Sequence, residues 1–229
     1  MKVLRIGHRG SKGYVAENTL ESINHAILLG VDGIEIDIFK CLSGELVLSH
    51  ENSLKRLTGK SGQLEKLTLD DLKEFLVFGK YKIPTLINVL TEIRKPLFVN
   101  IELKGLNTAQ ATSKIIADIS ISTSWRLEHF IVSSFNWDEL EQFRSIDKNT
   151  PVGVLVSKSM SINEAIEFGK KINAQAIHPN FKLLNDKAVK KIKNNGFKIY
   201  TWTVNNEDDI NFMKKLKVDG IISDYPDRI

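Results

Sequence analysis

The chain of 229 residues contains a single cysteine, Cys41. It therefore has neither an intramolecular disulfide nor a multi-cysteine metal site, and a free thiol is compatible with a reducing compartment. No run approaches the roughly 18 apolar residues of a membrane span, and residues 1 to 8 lack the apolar stretch of a secretory leader. Strong charge bias is missing too: 32 Lys and Arg against 28 Asp and Glu give a net charge of +4. That excess favours anionic ligands without naming one. The densest basic runs, Lys170 with Lys171 and Lys187, Lys190, Lys191 and Lys193, recur at helical spacing and read as solvated helix faces rather than a nucleic-acid surface. Solenoid-period repeats, low-complexity tracts and a dinucleotide fingerprint are all absent; Gly10 and Gly13 have the wrong spacing for the last. A soluble cytoplasmic protein without stable membrane insertion is expected.

What is present is one core's worth of apolar residues, 42% of the chain, arranged as short β-rich runs alternating with helix-period segments. This alternation marks parallel βα units. Strands are expected at 3–7, 33–38, 97–103, 130–134, 152–156, 176–178, 198–204 and 220–223. Helices are expected at 19–29, 86–93, 108–121, 137–146, 162–171, 186–194 and 207–217. Asn136 and Asn206 stand where N-caps belong, each followed by acidic residues, and Gly196 stands where a left-handed stop belongs. Eight such strands predict an α/β fold of the (β/α)8 TIM-barrel type, one catalytic barrel domain spanning 1–229. The second strand is followed by a hairpin run, Leu46-Val47-Leu48, too close for a helical crossover. Residues 51–84 then read as a small insertion with one short helix at 69–76.

Active sites of such barrels lie at the C-terminal ends of the strands. Here those ends carry His8-Arg9-Gly10, Glu35 and Asp37, and Glu102 and Lys104. Residues two apart on a strand share a face, so Glu35 pairs with Asp37 and Glu102 with Lys104. If that face is the barrel mouth, three carboxylates converge, and burying them unpaired would cost several kcal/mol each. A divalent cation compensates most simply, and hard oxygen ligands suit Mg2+ or Ca2+ over zinc. The alternative is that Glu35 and Asp37 face outward to Lys or Arg partners on the helices. His8 and His50 flank the acidic pair and could serve as general acid and base, while Arg9 and Lys104 would attract an anionic group such as phosphate. His25, His129 and His178 read as structural, although His178 stands at a strand end before Pro179. Ser133 and Ser134 lack the partners of a nucleophile. Trp202 is either core or mouth lining.

These residues resemble the glycerophosphodiester phosphodiesterase family. The likeness runs through His8-Arg9-Gly10, Glu17-Asn18-Thr19-Leu20, Glu35-x-Asp37, Leu46-Val47-Leu48-Ser49-His50, Ile83-Pro84-Thr85-Leu86, Ile101-Glu102-Leu103-Lys104, Ser133-Ser134-Phe135, Thr201-Trp202-Thr203-Val204-Asn205 and the closing Gly220 to Pro226 segment. The resemblance implies a barrel enzyme that cleaves small glycerophosphodiesters to glycerol 3-phosphate and an alcohol. It implies Glu35, Asp37 and Glu102 as metal ligands, His8 and His50 as acid and base, Arg9, Lys104 and Trp202 as substrate contacts, and Glu17 and Asn18 as supports, with Glu17 in or near the metal shell. The insertion would lie over the mouth. Attack by an adjacent substrate hydroxyl and attack by water both remain open, as does the oligomeric state. Two departures stand out: Glu51 follows His50 where Asp is usual, and Ala16 precedes Glu17 where Pro is common. A lysophospholipid-cleaving relative would need an apolar rim, for which only Phe75 to Phe78 are available. A non-catalytic binder would be expected to lack one of the histidines.

Overall fold

The computed structural model describes residues 2–229. Its elements, in chain order, are β1 (Leu4–His8), α1 (Leu20–Leu28), β2 (Gly33–Lys40), β3 (Leu46–Leu48), α2 (Lys55–Thr58), α3 (Leu69–Leu72), β4 (Leu76–Val77), β5 (Tyr81–Lys82), α4 (Leu86–Glu92), β6 (Phe98–Leu103), α5 (Ala109–Ser122), β7 (Phe130–Ser134), α6 (Trp137–Ile146), β8 (Val152–Val156), α7 (Ile162–Lys171), β9 (Ala176–Pro179), α8 (Asp186–Asn194), β10 (Lys198–Thr201), α9 (Glu207–Lys215) and β11 (Gly220–Ser223).

Strands β1, β2 and β6 to β11 pair in parallel. Because β1 pairs with both β2 and β11, the sheet closes into an eight-stranded barrel. Alternation along the strands divides two cores. Ile34, Ile36 and Ile38 of β2 pack outward against helix residues such as Ile23, Ala26 and Leu90. Ile6, Ile131, Ala176, Tyr200 and Ile222 fill the barrel interior. Full burial of side chains of this size stabilises by about 1.5–3 kcal/mol each, so the outward parity of β2 fixes Glu35 and Asp37 on the inner face.

Helix starts follow local chemistry. Asn136 accepts from the backbone N–H groups of Asp138 and Glu139, and Thr85 forms a reciprocal capping box with Asn88. Asn206, expected to cap α9, makes no side-chain cap bond; the acidic run Glu207, Asp208 and Asp209 complements the helix dipole there instead. Gly196 takes φ +85 just beyond α8.

Two expected elements are shorter than their composition implies. The strand at 198–204 leaves the ladder at Thr201, and Trp202 holds only an isolated bridge to Asn180. The helix at 69–76 ends at Leu72, after which Leu76 and Val77 pair with Tyr81 and Lys82. In that stretch Val77 is buried and Phe75 is half-buried against Leu54, Leu64 and Leu72, whereas Leu76 and Phe78 face outward. The excursion leaves from β3 and returns beside it, since Leu48 N donates to Pro84 O and Val47 bridges Thr85. Cys41 is a free thiol buried in the small core under the excursion. Among the described residues no helix is long and apolar enough to cross a membrane.

Candidate active site

Register assembles the site. His8 on β1 stands opposite Glu35 on β2, and Asp37 stands opposite Glu102 on β6. One carboxylate oxygen from each of Glu35, Asp37 and Glu102 lies within 4.8 Å of the others, and all three residues are buried. The outward-facing alternative for Glu35 and Asp37 is thereby excluded. His50 follows directly on Ser49, whose N–H donates to Asp37 O at 3.1 Å, so the hairpin delivers the second histidine to the same rim.

The turn after β1 is shaped for contact with the cluster. Arg9 and Gly10 have φ +51 and +86. The left-handed conformation costs a non-glycine residue about 1–2 kcal/mol, and here it aims Arg9 N–H at Glu35 Oε2, 3.0 Å away. A β-carbon on Gly10 would lie 2.5 Å from Ser22 Oγ, so glycine is required where the turn crosses α1. Asn18, also left-handed at φ +56, donates from Nδ2 to Asp37 Oδ2 at 2.9 Å.

Positive charge surrounds the acids. Arg9 Nε is 3.1 Å from Asp37 Oδ2, and Lys104 Nζ is 3.1 Å from Glu102 Oε1. Arg9 also donates from Nη1 to Glu17 Oε1 at 2.8 Å. Glu17 therefore stands apart from the three-carboxylate cluster, committed to Arg9 and to Arg56 of α2. Burial opposes its charged form, but Arg56 hydrogen bonds and the charge of Arg9 prevail and hold its carboxyl at about 2. In the cluster the balance runs the other way. Burial and the charges of Asp37 and Glu102 push the Glu35 carboxyl well above the usual range. Burial and Asp37 raise Glu102 to about 7 despite Lys104.

These features fit a cation. Glu35 Oε1 is buried, and among the described residues no hydrogen-bond donor reaches it. The donor set is hard oxygen.

The two histidines differ. His8 Nδ1 lies 2.5 Å from Asp224 Oδ1, while His8 Nε2 faces Glu35 Oε2 at 3.9 Å. Asn205 donates from Nδ2 to Asp224 Oδ2, and its own carbonyl accepts from Asp224 N and Ser223 Oγ. Burial opposes Asp224 ionisation, yet the hydrogen bond from His8 holds its carboxyl at about 2. His8 Nδ1 therefore carries the shared proton. Burial lowers His8 overall, against the Asp224 bond. His50 is half-buried; burial, with the charges of Arg9 and Lys104, lowers it to about 4, so its ring is neutral near pH 7. Its Nδ1 is 3.9 Å from Glu51 Oε1.

Trp202 sits at the mouth side of the interior core, half-buried, its Nε1 donating to His178 O and its ring edge-on to Phe135 at 5.2 Å. Lys104 Nζ lies 5.6 Å from the Phe135 centroid. The remaining candidates are structural. Ser133 and Ser134 donate to Asn100 Oδ1 and Leu103 O, His25 meets Ser11 Oγ, and His129 caps Arg126 N. His178 is wholly buried inside the barrel. Asn205 and Asp224 lie in the Thr201 to Asn205 and Gly220 to Pro226 segments that carry the resemblance, but their bonds to each other and to His8 appear only in the fold, and Arg56 has no distinguishing local pattern.

Residues 8–228 match the model of the glycerophosphoryl diester phosphodiesterase family. The chain is 32% identical to a glycerophosphodiester phosphodiesterase of Caldanaerobacter subterraneus subsp. tengcongensis, over 100% of this chain and 97% of that one. It is also 32% identical to one of Bacillus altitudinis, over 96% and 94%. Among solved structures, a glycerophosphodiester phosphodiesterase from Thermotoga maritima superposes with a TM-score of 0.84 at 29% identity, covering 99% of this chain and 96% of that one. An Oleispira antarctica phosphodiesterase in complex with the product sn-glycerol-3-phosphate superposes with a TM-score of 0.86 at 27% identity, covering 98% and 94%. With a family model spanning almost the whole sequence and relatives aligned end to end, the chain belongs to the glycerophosphoryl diester phosphodiesterase family.

Proposed function

We propose that this enzyme hydrolyses small glycerophosphodiesters to glycerol 3-phosphate and an alcohol, through acid and base catalysis by His8 and His50 beside one divalent cation. The observation that carries the reading is the convergence of Glu35, Asp37 and Glu102 within 4.8 Å, on a rim that also receives His8 from β1 and His50 from β3.

Glu35, Asp37 and Glu102 would hold the ion, Mg2+ or Ca2+, which when bound offsets negative charge on a phosphoryl oxygen. Arg9 and Lys104 attract and orient the phosphate, and Trp202 with Phe135 supplies an apolar wall for the rest of the substrate. Asp224 fixes the proton on His8 Nδ1, so Nε2 is the atom that moves a proton. His50, neutral near pH 7, takes the proton of the attacking hydroxyl, and His8, which must enter the step protonated at Nε2 as well as Nδ1, gives its Nε2 proton to the departing alcohol. The nucleophile is the substrate's own adjacent hydroxyl or water. The segment 51–84 covers the mouth as part of the one barrel domain, and the lone Cys41 is compatible with action in the cytoplasm.

The test is release of glycerol 3-phosphate from glycerophosphocholine, glycerophosphoethanolamine and glycerophosphoglycerol, with and without chelator. Turnover is expected to need the cation and to fall at least about 100-fold in His8→Ala and in His50→Ala with the circular dichroism spectrum retained. Full turnover by either variant would overturn its catalytic role. Unimpaired turnover after exhaustive chelation would overturn the metal.

A further inference from the structure

Arg56 lies in the excursion, outside the barrel strands that carry the acids, yet its guanidinium completes a line of ion pairs reaching the carboxylate cluster. Nη2 donates to Glu17 Oε1 at 2.8 Å, Nη1 donates to Glu17 Oε2 at 3.2 Å, and Nε donates to Glu51 Oε1 at 2.5 Å. On the far side, Glu17 Oε1 also accepts from Arg9 Nη1, and Arg9 Nε faces Asp37. Glu17 is thus a buried carboxylate, 4% exposed, shared by two guanidinium groups.

Sharing matters because Arg9 is surrounded by acid. Glu17, Asp37 and Glu35 all draw on its charge. Were Glu17 left with Arg9 alone, its full charge would fall on that guanidinium and cancel the attraction Arg9 offers an incoming anion. Arg56 binds both Glu17 oxygens, and its side chain is 44% exposed, so it neutralises Glu17 from the solvent side. The forked geometry needs arginine; a lysine there is a single point charge.

We propose that Arg56 is a positioning residue that acts through Glu17 to keep Arg9 available to the phosphate group, linking the excursion to phosphate affinity. The inference rests on Arg9 as a phosphate contact, as read above. Glu51, the residue after His50, also accepts from the same guanidinium, so the longer side chain found here in place of the usual Asp is the one that reaches Arg56.

The test uses the full-length protein loaded with Mg2+, with inorganic phosphate binding measured by calorimetry alongside steady-state kinetics on glycerophosphocholine. Arg56→Gln is expected to weaken phosphate about tenfold and to raise KM by a similar factor with kcat within about twofold, the scale of one lost charge-assisted interaction. Arg56→Lys should fall between it and the wild type. The deciding variant is Arg56→Gln with Glu17→Gln: removing the unshared charge should return phosphate affinity toward the wild-type value. Unchanged phosphate binding in Arg56→Gln, or weaker binding in the double variant than in the single one, overturns the inference. Wild-type protein that binds phosphate with this pattern of variants yet releases no glycerol 3-phosphate would sink the proposed activity and leave the role of Arg56 standing. Wild-type protein that fails to bind phosphate at all would remove the role of Arg9, and that of Arg56 with it.

Discussion

His8 Nδ1 and Asp224 Oδ1 meet at 2.5 Å although 216 residues separate them in the chain. The contact exists because β1 and β11 are neighbours at the closing seam of the barrel, with Gly7 in register with Ser223. It fixes one ring nitrogen as a donor and turns the other toward the acids.

Asp224→Asn keeps the shape of this pair but lets the amide donate to Nδ1, which favours the wrong tautomer. kcat is expected to drop about 100-fold, with the thermal midpoint within a few degrees of wild type. Steady-state turnover together with a melting curve checks this, and an unchanged kcat would mean that Asp224 does not orient a working imidazole.

Cation binding should depend on pH in a stated direction. In the cation-free site Glu102 titrates at about 7 and Glu35 lies well above the usual carboxylate range, because burial and mutual repulsion favour the protonated forms. A divalent ion needs both ionised, so it must displace protons, and its affinity climbs as pH rises through 7. Calorimetry with Mg2+ or Ca2+ at pH 6, 7 and 8, repeated in buffers of different ionisation enthalpy, measures both the trend and the protons released. Equal affinities at pH 6 and 8 would contradict a site made of these carboxylates.

The same repulsion makes a stability prediction. Glu35→Gln removes an ionisable group from the cluster while preserving an acceptor for Arg9 N–H, which bonds Oε2. In chelator the variant should melt no lower than wild type, since like charges buried together oppose folding. Wild type should gain several degrees on addition of the cation, and the variant should gain little and lose at least about 100-fold in turnover. A variant that melts far below wild type in chelator would show that Glu35 stabilises the mouth by other contacts.

Much of this architecture can be read before any coordinates. Eight apolar runs at βα spacing announce the barrel because each strand must be buried on both faces, and parity places Glu35 with Asp37 without knowing which face is inner. The interior choice follows only once Ile34, Ile36 and Ile38 are seen against the helices. What escapes the sequence is whatever depends on closure. Asp224 and Arg56 reach their partners across the β1–β11 seam and from the excursion, and nothing local marks which side chain either will meet. Short elements escape for a related reason: the four residues of α2 and the β4–β5 pair lack enough local hydrogen bonds to form alone and are held against each other, with Leu57 and Val77 buried and Phe78 N donating to Leu57 O. Trp202-Thr203-Val204 has strand-like composition, but the ladder ends at Thr201 and the chain turns toward Asn205 and its bond with Asp224.

His178 provides a prediction about acid stability. Its imidazole is wholly buried beside Tyr200, neither ring nitrogen has a hydrogen-bond partner among the described residues, and burial lowers it to about 3. Gly153 makes room for it, since a β-carbon there would lie 2.3 Å from Nε2. The unfolded chain protonates this residue near 6.5 while the folded chain resists until about 3. Its contribution to stability is therefore complete above pH 6.5 and is lost progressively as pH falls toward 3, a slope that accumulates to a few kcal/mol. His178→Leu removes the titration and the unsatisfied nitrogens together, so urea unfolding at pH 7.5 should show stability at least equal to wild type, and the gap should widen in favour of the variant at pH 5. Stability curves that stay parallel between these two pH values would mean that the imidazole is protonated within the fold, in which case a partner group must reach it from inside the barrel.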